Sequence, residues 1–368
     1  MHMAGVFFIK PRLERMISLK DPALLKKTVQ YFRDRYRIPG ISLCLTDSSG
    51  EDYIMAAGVR NLLQDTLLDP YDHQRVGSLS NIVTSVVILK LQEEGMLSLE
   101  QTVESILPGI LKEGSRISVR QLLQHRSGLK DYLWMDVAGT KCIQHAVSSP
   151  LDFFSSRSLV RLIANHDLEF EPGTAFKYSN TNGILLGLIV EECSGKKFED
   201  AVYQWITQPL QLERTYFPCS NDLRLPFATG HSKATPDLTD LSDDITPITD
   251  LNVSIMGTSG ALVSNPVEIQ TFMKDLFGGS LLSQKSMKQM LVFSETDDPE
   301  RFYGLGLYKY TFENGMTAYG HHSGIHGYES VTLYYPDDEI FTTVIVNQMP
   351  VGAVSLAHQL LKRNLVSR

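Results

Sequence analysis

The sequence lacks several features that would assign it to a common class of protein. It has no basic tract that could follow a phosphate backbone, and its 42 Asp and Glu outnumber its 34 Lys and Arg, for a formal charge of −8. We therefore expect no nucleic-acid partner. No run approaches the roughly 18 apolar residues of a membrane-spanning helix, and no small-residue cleavage site follows the apolar N-terminal stretch. We expect a cytoplasmic protein with no signal peptide and no membrane span.

Cysteine is also scarce. The four cysteines, Cys44, Cys142, Cys193 and Cys219, lie far apart and show none of the paired spacings of zinc sites or redox motifs. Free thiols in a reducing compartment are the expected state. The sequence contains no His-Glu-x-x-His, no Gly-x-Ser-x-Gly and no glycine-rich phosphate loop. We expect no metal and no cofactor, and the α/β-hydrolase class is disfavoured.

The sequence does contain the material for a large folded core. Its 368 residues are 43% apolar and 21% charged, which is typical of one or two globular domains. Alternating or continuous apolar runs predict strands at Ile41 to Thr46, Asp52 to Ala57, Tyr303 to Tyr310, Met316 to His322, Val331 to Tyr335 and Phe341 to Asn347. Helical spacing predicts helices at Pro22 to Arg35, Val119 to Gln124, Ser158 to Asn165, Asn182 to Cys193, Phe198 to Ile206, Pro266 to Phe277 and Val354 to Leu365.

The strands therefore lie near both ends of the chain and most helices lie between them. Because strands need partners, we predict an α/β (α+β) fold in which both chain ends build one antiparallel sheet flanked by helices. A single domain, residues 1–368, would contain a sheet lobe (1–116 plus 278–368) and an inserted, mainly helical lobe (117–277), with a cleft between them. His231 to Asp250, rich in Thr, Pro and Asp, is predicted to be a surface loop.

Ser78 is the first candidate for chemistry. The segment Gly77 to Thr84 opens a helix that is apolar nearly all round, which predicts burial. A helix start concentrates unpaired N–H groups, which suit a serine whose carbonyl adduct develops an oxyanion. Asn81, three positions on, is expected to reach the Ser78 hydroxyl. A serine here also fits a helix N-cap, which would carry no chemistry.

A second candidate pair is Tyr178 and Asn180, which follow Glu171-Pro172-Gly173. Two residues apart, their side chains project to one side of a turn or extended segment, where they can meet Ser78. The alternative is a core tyrosine beside a turn asparagine.

The third candidate segment is Gly320-His321-His322-Ser323-Gly324, at the end of a predicted strand. Alternation of side chains places His321 and Ser323 on one face and His322 on the other. Histidines also bind metals, but the carboxylate or helical histidine pair of a zinc enzyme is missing.

In this order, the three segments resemble the serine β-lactamase and penicillin-binding protein superfamily, especially its class C-like, D-alanyl-D-alanine carboxypeptidase and esterase branch. The resemblance covers nearly the whole chain and implies a β-lactamase/transpeptidase-like fold. Further segments that look like family landmarks are Leu122 to Leu129, Glu171 to Gly173, Gln208 to Leu210, Gly257 to Gly260, Tyr303 to Gly306 and Val344 to Asn347.

By this resemblance, Ser78 matches the acylated serine of Ser-x-x-Lys, and Tyr178 and Asn180 match Tyr-x-Asn. Asn81 stands where the family has its lysine, so a general base and the charge that favours tyrosinate are both missing. General-base help is typically worth about 10²–10⁴-fold in rate. The resemblance therefore implies acyl-serine chemistry on an ester or amide, weakened or lost through Asn81.

Three readings of the function follow, and whether the chain is an enzyme stays open. In the first reading the chain is a weakened serine hydrolase. In the second it is a working esterase or amidase in which Tyr178, His321 or water replaces the base. The third reading is a pseudoenzyme that binds a ligand or a protein partner as a scaffold. For the hydrolase readings, the expected ligand is a small-molecule or peptide ester or amide.

The histidine segment allows two registers against the family motif Lys-Thr-Gly or His-x-Gly. We prefer His321 as the motif residue, so that Ser323 replaces the motif glycine and the Gly324 N–H joins the Ser78 N–H in an oxyanion hole. In the other register His322 is the motif residue, the glycine is Gly324, and Ile325 supplies the N–H.

Overall fold

A computed structural model describes residues 17–19, 21–218, 223–234, 241–248 and 250–367. Cys219 and the N-terminal apolar stretch lie outside these residues, as does part of the predicted surface loop. Within them, the strands are β1 (Ile17–Leu19), β2 (Gly40–Thr46), β3 (Asp52–Asn61), β4 (Thr66–Leu67), β5 (Gln74–Arg75), β6 (Asp136–Val137), β7 (Thr140–Lys141), β8 (His231–Ala234), β9 (Leu241–Pro247), β10 (Val263–Ser264), β11 (Ser294–Glu295), β12 (Arg301–Tyr303), β13 (Tyr308–Thr311), β14 (Thr317–Ile325), β15 (Tyr328–Tyr335), β16 (Ile340–Val346), β17 (Gln348–Met349) and β18 (Leu365–Ser367).

The helices lie among these strands along the chain. They are α1 (Pro22–Tyr36), α2 (Ser80–Glu93), α3 (Val103–Ile106), α4 (Val119–Leu123), α5 (Cys142–Ser148), α6 (Ser156–Arg161), α7 (Asn180–Ser194), α8 (Phe198–Val202), α9 (Gly257–Gly260), α10 (Pro266–Gly278), α11 (Gln284–Met290) and α12 (Ala353–Asn364). No helix in the described ranges combines the length and the apolar character needed to cross a bilayer.

A nine-stranded sheet organises the fold, in the order β11-β12-β13-β14-β15-β16-β2-β3-β4. Neighbouring strands are antiparallel throughout. Strand β2, from the N-terminal half of the chain, pairs with β16, from the C-terminal end, in a register that sets Ile345 opposite Ser42. The predicted antiparallel sheet built from both chain ends is therefore confirmed.

Helices α1 and α12 cover one face of this sheet. Helix α1 begins where the Asp21 side chain accepts from the Ala23 N–H, and it ends at Arg37 in the left-handed conformation. Its apolar stripe, Leu25, Val29 and Phe32, is buried with sheet residues in one core cluster. Each such side chain contributes about 1.5–3 kcal/mol on burial.

A second core joins the helices of the middle of the chain around α2. Helix α2 is buried along nearly its whole length, as its apolar sequence requires, and it contacts α7 and α9. Helix α7 lies very close to α9, because a Cβ at Gly183 would stand 2.7 Å from Ser259 and one at Gly187 would stand 2.4 Å from Thr258. These two glycines permit the packing that places the start of α7 beside the start of α2.

Two predicted elements were wrong in detail. The single strand predicted from Tyr303 to Tyr310 is two strands, β12 and β13, because Gly306 turns the chain with φ of 76°. The surface loop predicted from His231 to Asp250 contains β8 and β9, and β8 pairs with β17. Pairing buries His231 and Ser232, which are 1% and 3% exposed.

Candidate active site

Ser78 lies in a short 3-10 turn, Gly77–Leu79, immediately before α2. The turn contacts β14, β15 and α9, so Ser78 lies where the sheet meets the helices. No side chain caps either the turn or α2, so Ser78 does not act as the N-cap that its position allowed. Gly77 has φ of 52°, in the left-handed region that favours glycine.

Asn81 connects Ser78 to Tyr178. Its Nδ2 donates to the Ser78 carbonyl oxygen at 3.0 Å and to the Tyr178 hydroxyl oxygen at 2.9 Å. The carbonyl can only accept, which fixes Nδ2 rather than Oδ1 at this position. The predicted contact was with the Ser78 hydroxyl; the structure instead places the amide on the backbone carbonyl and on the phenol.

The Tyr178 phenol is neutral at physiological pH. Burial raises the pKa of Tyr178 to about 12, although hydrogen bonds with the Ser78 and Asn81 side chains act in the opposite direction. The charge of Asp131 raises this pKa further. A phenol with this pKa is a poor proton acceptor at neutral pH.

His125, which follows α4, supports the Tyr178 ring. The two rings stack with their centroids 4.1 Å apart. His125 Nδ1 accepts from the Ser179 N–H at 3.2 Å and from Asn182 Nδ2 at 3.0 Å. Burial lowers the pKa of His125 to about 3, so the imidazole stays neutral. No role was predicted for His125 from the sequence, although this residue lies in the landmark segment Leu122 to Leu129.

Asn180 is held by Asp131, which sequence reasoning also missed. Asp131 Oδ2 accepts from the Asn180 backbone N–H at 3.0 Å and from Asn180 Nδ2 at 2.7 Å. The other oxygen accepts from the Leu133 N–H at 3.0 Å. The carboxylate therefore fixes the start of α7 and the orientation of the Asn180 amide, but burial still raises the pKa of Asp131 above its ordinary value.

His321 lies on the same sheet face as Ser323, and both of its ring nitrogens are occupied. Nδ1 lies 2.6 Å from the His322 carbonyl oxygen, so it must carry the proton and donate. Nε2 then accepts from the Tyr303 hydroxyl at 3.1 Å. Burial holds the pKa of His321 well below its ordinary value. His321 therefore has no free position from which to accept a proton from Ser78.

His322 lies on the opposite face of β14. Its register partner is Val331, which belongs to the core under α1 and α12. His322 Nδ1 lies 2.7 Å from the Tyr310 hydroxyl oxygen. The structure thus separates the two adjacent histidines and brings only His321 toward Tyr178, with ring centroids 6.3 Å apart.

Ser323 is in direct contact with the Ser78 backbone. The Ser78 N–H donates to Ser323 Oγ at 2.6 Å, and Ser323 is 5% exposed. Gly324, the next residue, is exposed. The amide that would stabilise an oxyanion at Ser78 is therefore already hydrogen-bonded inside the protein.

A separate cavity of about 470 Å³ opens between α6, α7 and α8. Its walls include Phe154, Leu188, Phe198 and Phe217, and its lining residues do not include Ser78, Asn81, Tyr178 or His321. Among the described residues, no group of three or more His, Cys, Asp or Glu side chains is placed to hold a metal ion.

Comparison with solved structures shows the same architecture in several hydrolases. A D-stereospecific amidohydrolase from a Streptomyces species is 28% identical, with a TM-score of 0.81 over 92% of this chain and 98% of that one. The D-amino acid amidase of Ochrobactrum anthropi SV3 is 22% identical, with a TM-score of 0.80 over 92% and 98% of the two chains. The second likeness shows the fold alone.

Comparison with curated proteins gives further relatives. Penicillin-binding protein 4* of Bacillus subtilis is 27% identical over 270 residues, which are 71% of this chain and 58% of that protein. The chain covers 38% of protein flp from Staphylococcus aureus strain MW2 at 24% identity. It therefore spans less than two thirds of these relatives.

The family model described as Beta-lactamase matches residues 25–364, which is nearly all of the chain. The match includes the Ser78 turn, the start of α7 and strand β14, which meet in the structure. The chain therefore belongs to the beta-lactamase family, whose members include penicillin-binding proteins.

Proposed function

We propose that this protein carries out weakened acyl-serine chemistry, in which Ser78 attacks the carbonyl carbon of an ester or amide. The observation that carries this proposal is the contact of Asn81 Nδ2 with the Tyr178 hydroxyl at 2.9 Å. Asn81 supplies a hydrogen bond at the position of the family lysine, but it supplies neither a base nor a charge.

In the proposed reaction, Ser78 Oγ forms a bond to the carbonyl carbon as the carbonyl double bond opens to an oxyanion, and the Ser78 proton passes to the ionised form of Tyr178 or to water. The leaving alcohol or amine then departs with a proton, and water later releases the acyl group. With a pKa of about 12, only about one Tyr178 in 10⁵ is ionised at pH 7. His321 offers no substitute base, because both ring nitrogens are engaged. Acylation and deacylation are both slow for this reason.

We assign the residues that bind the ligand beside Ser78 by their family position. Asn180, which Asp131 holds at the start of α7, is assigned to one side of the bound ligand. His321 is assigned to the side opposite Tyr178. The N–H groups of Ser78 and Gly324 are assigned to the oxyanion, in the register with Ser323 at the motif glycine. His322 has no direct role in this register.

The substrate class is proposed from the similar hydrolases. Their names identify one as a D-stereospecific amidohydrolase and another as a D-amino acid amidase. We therefore propose D-amino acid amides and esters as the preferred substrates, ahead of other small esters, amides and recycled peptides. Such small compounds also suit the cytoplasmic location predicted from the sequence.

The experiment follows acylation and turnover separately. Intact-protein mass is recorded after incubation with p-nitrophenyl acetate, and hydrolysis of D-phenylalanine amide and its L-enantiomer is measured by chromatography. The expected result is an acetyl adduct that accumulates slowly on the wild type and is absent from Ser78→Ala. Folded wild-type protein that gains no adduct and hydrolyses neither amide would overturn the proposal.

A second candidate is a ligand-binding protein without turnover. The bond from the Ser78 N–H to Ser323 Oγ favours it, because that bond removes an oxyanion donor from the resting site. In this case calorimetry detects binding of D-phenylalanine amide to wild type and Ser78→Ala alike, and no product appears.

A further inference from the structure

Three serines lie in one row across the central sheet. Strand register sets Ser323 opposite Ser330 and Ser330 opposite Ile345, and the row ends where Ile345 faces Ser42. Residues directly opposite each other in antiparallel strands share a face. Ser42, Ser330 and Ser323 therefore point to the same side of the sheet, and we call them the serine row.

Each member of the serine row binds a different residue of the segment 74–78. Ser42 Oγ accepts from Gln74 Nε2 at 2.8 Å. Ser330 Oγ donates to the Val76 carbonyl oxygen at 2.8 Å. Ser323 Oγ accepts from the Ser78 N–H at 2.6 Å.

The contacts between the serine row and the segment 74–78 fall at regular intervals. The bound positions are 74, 76 and 78, so the segment crosses the strands and contacts one serine at every second residue. The three serines are 0%, 1% and 5% exposed, and their small side chains let the segment lie directly on the sheet. Gly77 is part of the same fit, since a Cβ there would stand 2.0 Å from Ser323 Oγ.

We propose that the serine row positions Ser78 and that its last member, Ser323, closes the oxyanion site in the resting protein. The Ser323 hydroxyl takes the place in which the carbonyl oxygen of a bound ligand would accept from the Ser78 N–H. A ligand that uses this N–H must displace the hydroxyl. Ser42 and Ser330 are positioning residues, because they hold the segment and leave the Ser78 N–H untouched.

This inference rests on the proposed function only for the role of the ligand carbonyl. The hydrogen bond itself can be tested without any ligand. In ¹⁵N-serine-labelled protein, hydrogen exchange of the Ser78 amide is measured by NMR for the wild type, Ser323→Ala and Ser330→Ala. We expect Ser323→Ala to speed exchange of this amide by at least tenfold, and Ser330→Ala to leave its hydrogen bond in place. Equal exchange in wild type and Ser323→Ala would overturn the proposal.

Closing of the site is tested with phenylboronic acid, whose boron bonds to a serine oxygen and whose hydroxyl occupies an oxyanion site. Affinity is measured by calorimetry, with Ser78→Ala as the control for attachment to Ser78. We expect at least tenfold tighter binding to Ser323→Ala than to wild type, and no gain for Ser330→Ala.

The two proposals fail in different ways. Equal affinity of wild type and Ser323→Ala, with binding that depends on Ser78, would contradict closing by Ser323. Binding to none of the variants would count against the proposed reactivity of Ser78, and the amide exchange would then decide the role of Ser323 by itself.

Discussion

Replacing Asn81 with lysine should restore reactivity to Ser78 if the remainder of the site is intact. The amide nitrogen of Asn81 lies 2.9 Å from the Tyr178 hydroxyl oxygen and 3.0 Å from the Ser78 carbonyl oxygen. An ammonium group at this position would stabilise the ionised phenol.

The expected magnitude follows from the charge. A unit charge about 4 Å from a phenolate is worth about 4 kcal/mol at an effective dielectric constant of 20. Burial of the ammonium offsets part of this, since Asn81 is 4% exposed. A fall of about 1–3 units in the pKa of Tyr178 is the net expectation. The ionised fraction at pH 7 then rises about 10–10³-fold, and we expect the acylation rate to rise by at least tenfold.

The assay is the rate of p-nitrophenol release in the first turnover, recorded from pH 6 to pH 10. In Asn81→Lys the midpoint of the rise with pH should move to lower pH than in wild type. Asn81→Met is the matched control, because it has a side chain of similar length without charge. If folded Asn81→Lys reacts no faster than Asn81→Met and shows the same pH profile, the missing charge does not explain the weakness of the site.

Three further predictions concern the free energy of unfolding, measured by urea denaturation. Gly77→Ala should lower it by at least about 2 kcal/mol, because the left-handed conformation and the contact with Ser323 Oγ both oppose a Cβ. Adding Ser323→Gly to Gly77→Ala should recover about 1 kcal/mol or more, and simple additivity of the two changes would contradict the contact. Burial lowers the pKa of His322 to about 4, so between about pH 6.5 and pH 4 the unfolded chain binds more protons than the folded protein. The free energy of unfolding should therefore fall as the pH drops through this range, by up to about 1.4 kcal/mol per pH unit. His322→Gln should make this fall less steep, and an unchanged slope would refute the role of His322. Asp131→Ala should lower the free energy of unfolding by about 1–3 kcal/mol, because it leaves the Asn180 donors unpaired. Asp131→Asn should cost less. Equal losses in the two variants would show that the unpaired Asn180 donors are not the cause.

The fold could be predicted where short-range pattern determines it. The apolar runs of β2 and β16 and the apolar helix α2 are visible in the sequence. They predict a sheet built from both chain ends and a buried helix. The break between β12 and β13 was missed because it depends on Gly306. At that position a Cβ would meet Ser85 Oγ and the Asn81 carbonyl oxygen, and both lie far away in sequence.

The candidate site could be predicted in its residues but not in its contacts. The order of Ser78, Tyr178 and His321 along the chain resembles that of the family motifs, and this resemblance identifies the side chains of the candidate site. The occupation of His321 Nε2 depends on Tyr303, and the neutral state of Tyr178 depends on burial. The contact of Ser323 with the Ser78 amide depends on how closely β14 lies against the preceding turn. None of these is a local property of the sequence.

The division into a sheet lobe (1–116 plus 278–368) and a helical lobe (117–277) remains a prediction. Helix α10, within the second range, contacts β2 and β16, and α2, within the first, contacts α7 and α9. Helices from both ranges therefore pack together in the core cluster that contains α2.

The central claim is that Ser78 is a nucleophile in an assembled but weakened site. Its most direct test is a time course of intact-protein mass with a small fluorophosphonate, for wild type and Ser78→Ala. We expect one adduct per wild-type chain, formed slowly and absent from Ser78→Ala. A folded wild-type protein that remains unmodified, or an adduct that forms equally on Ser78→Ala, would contradict it.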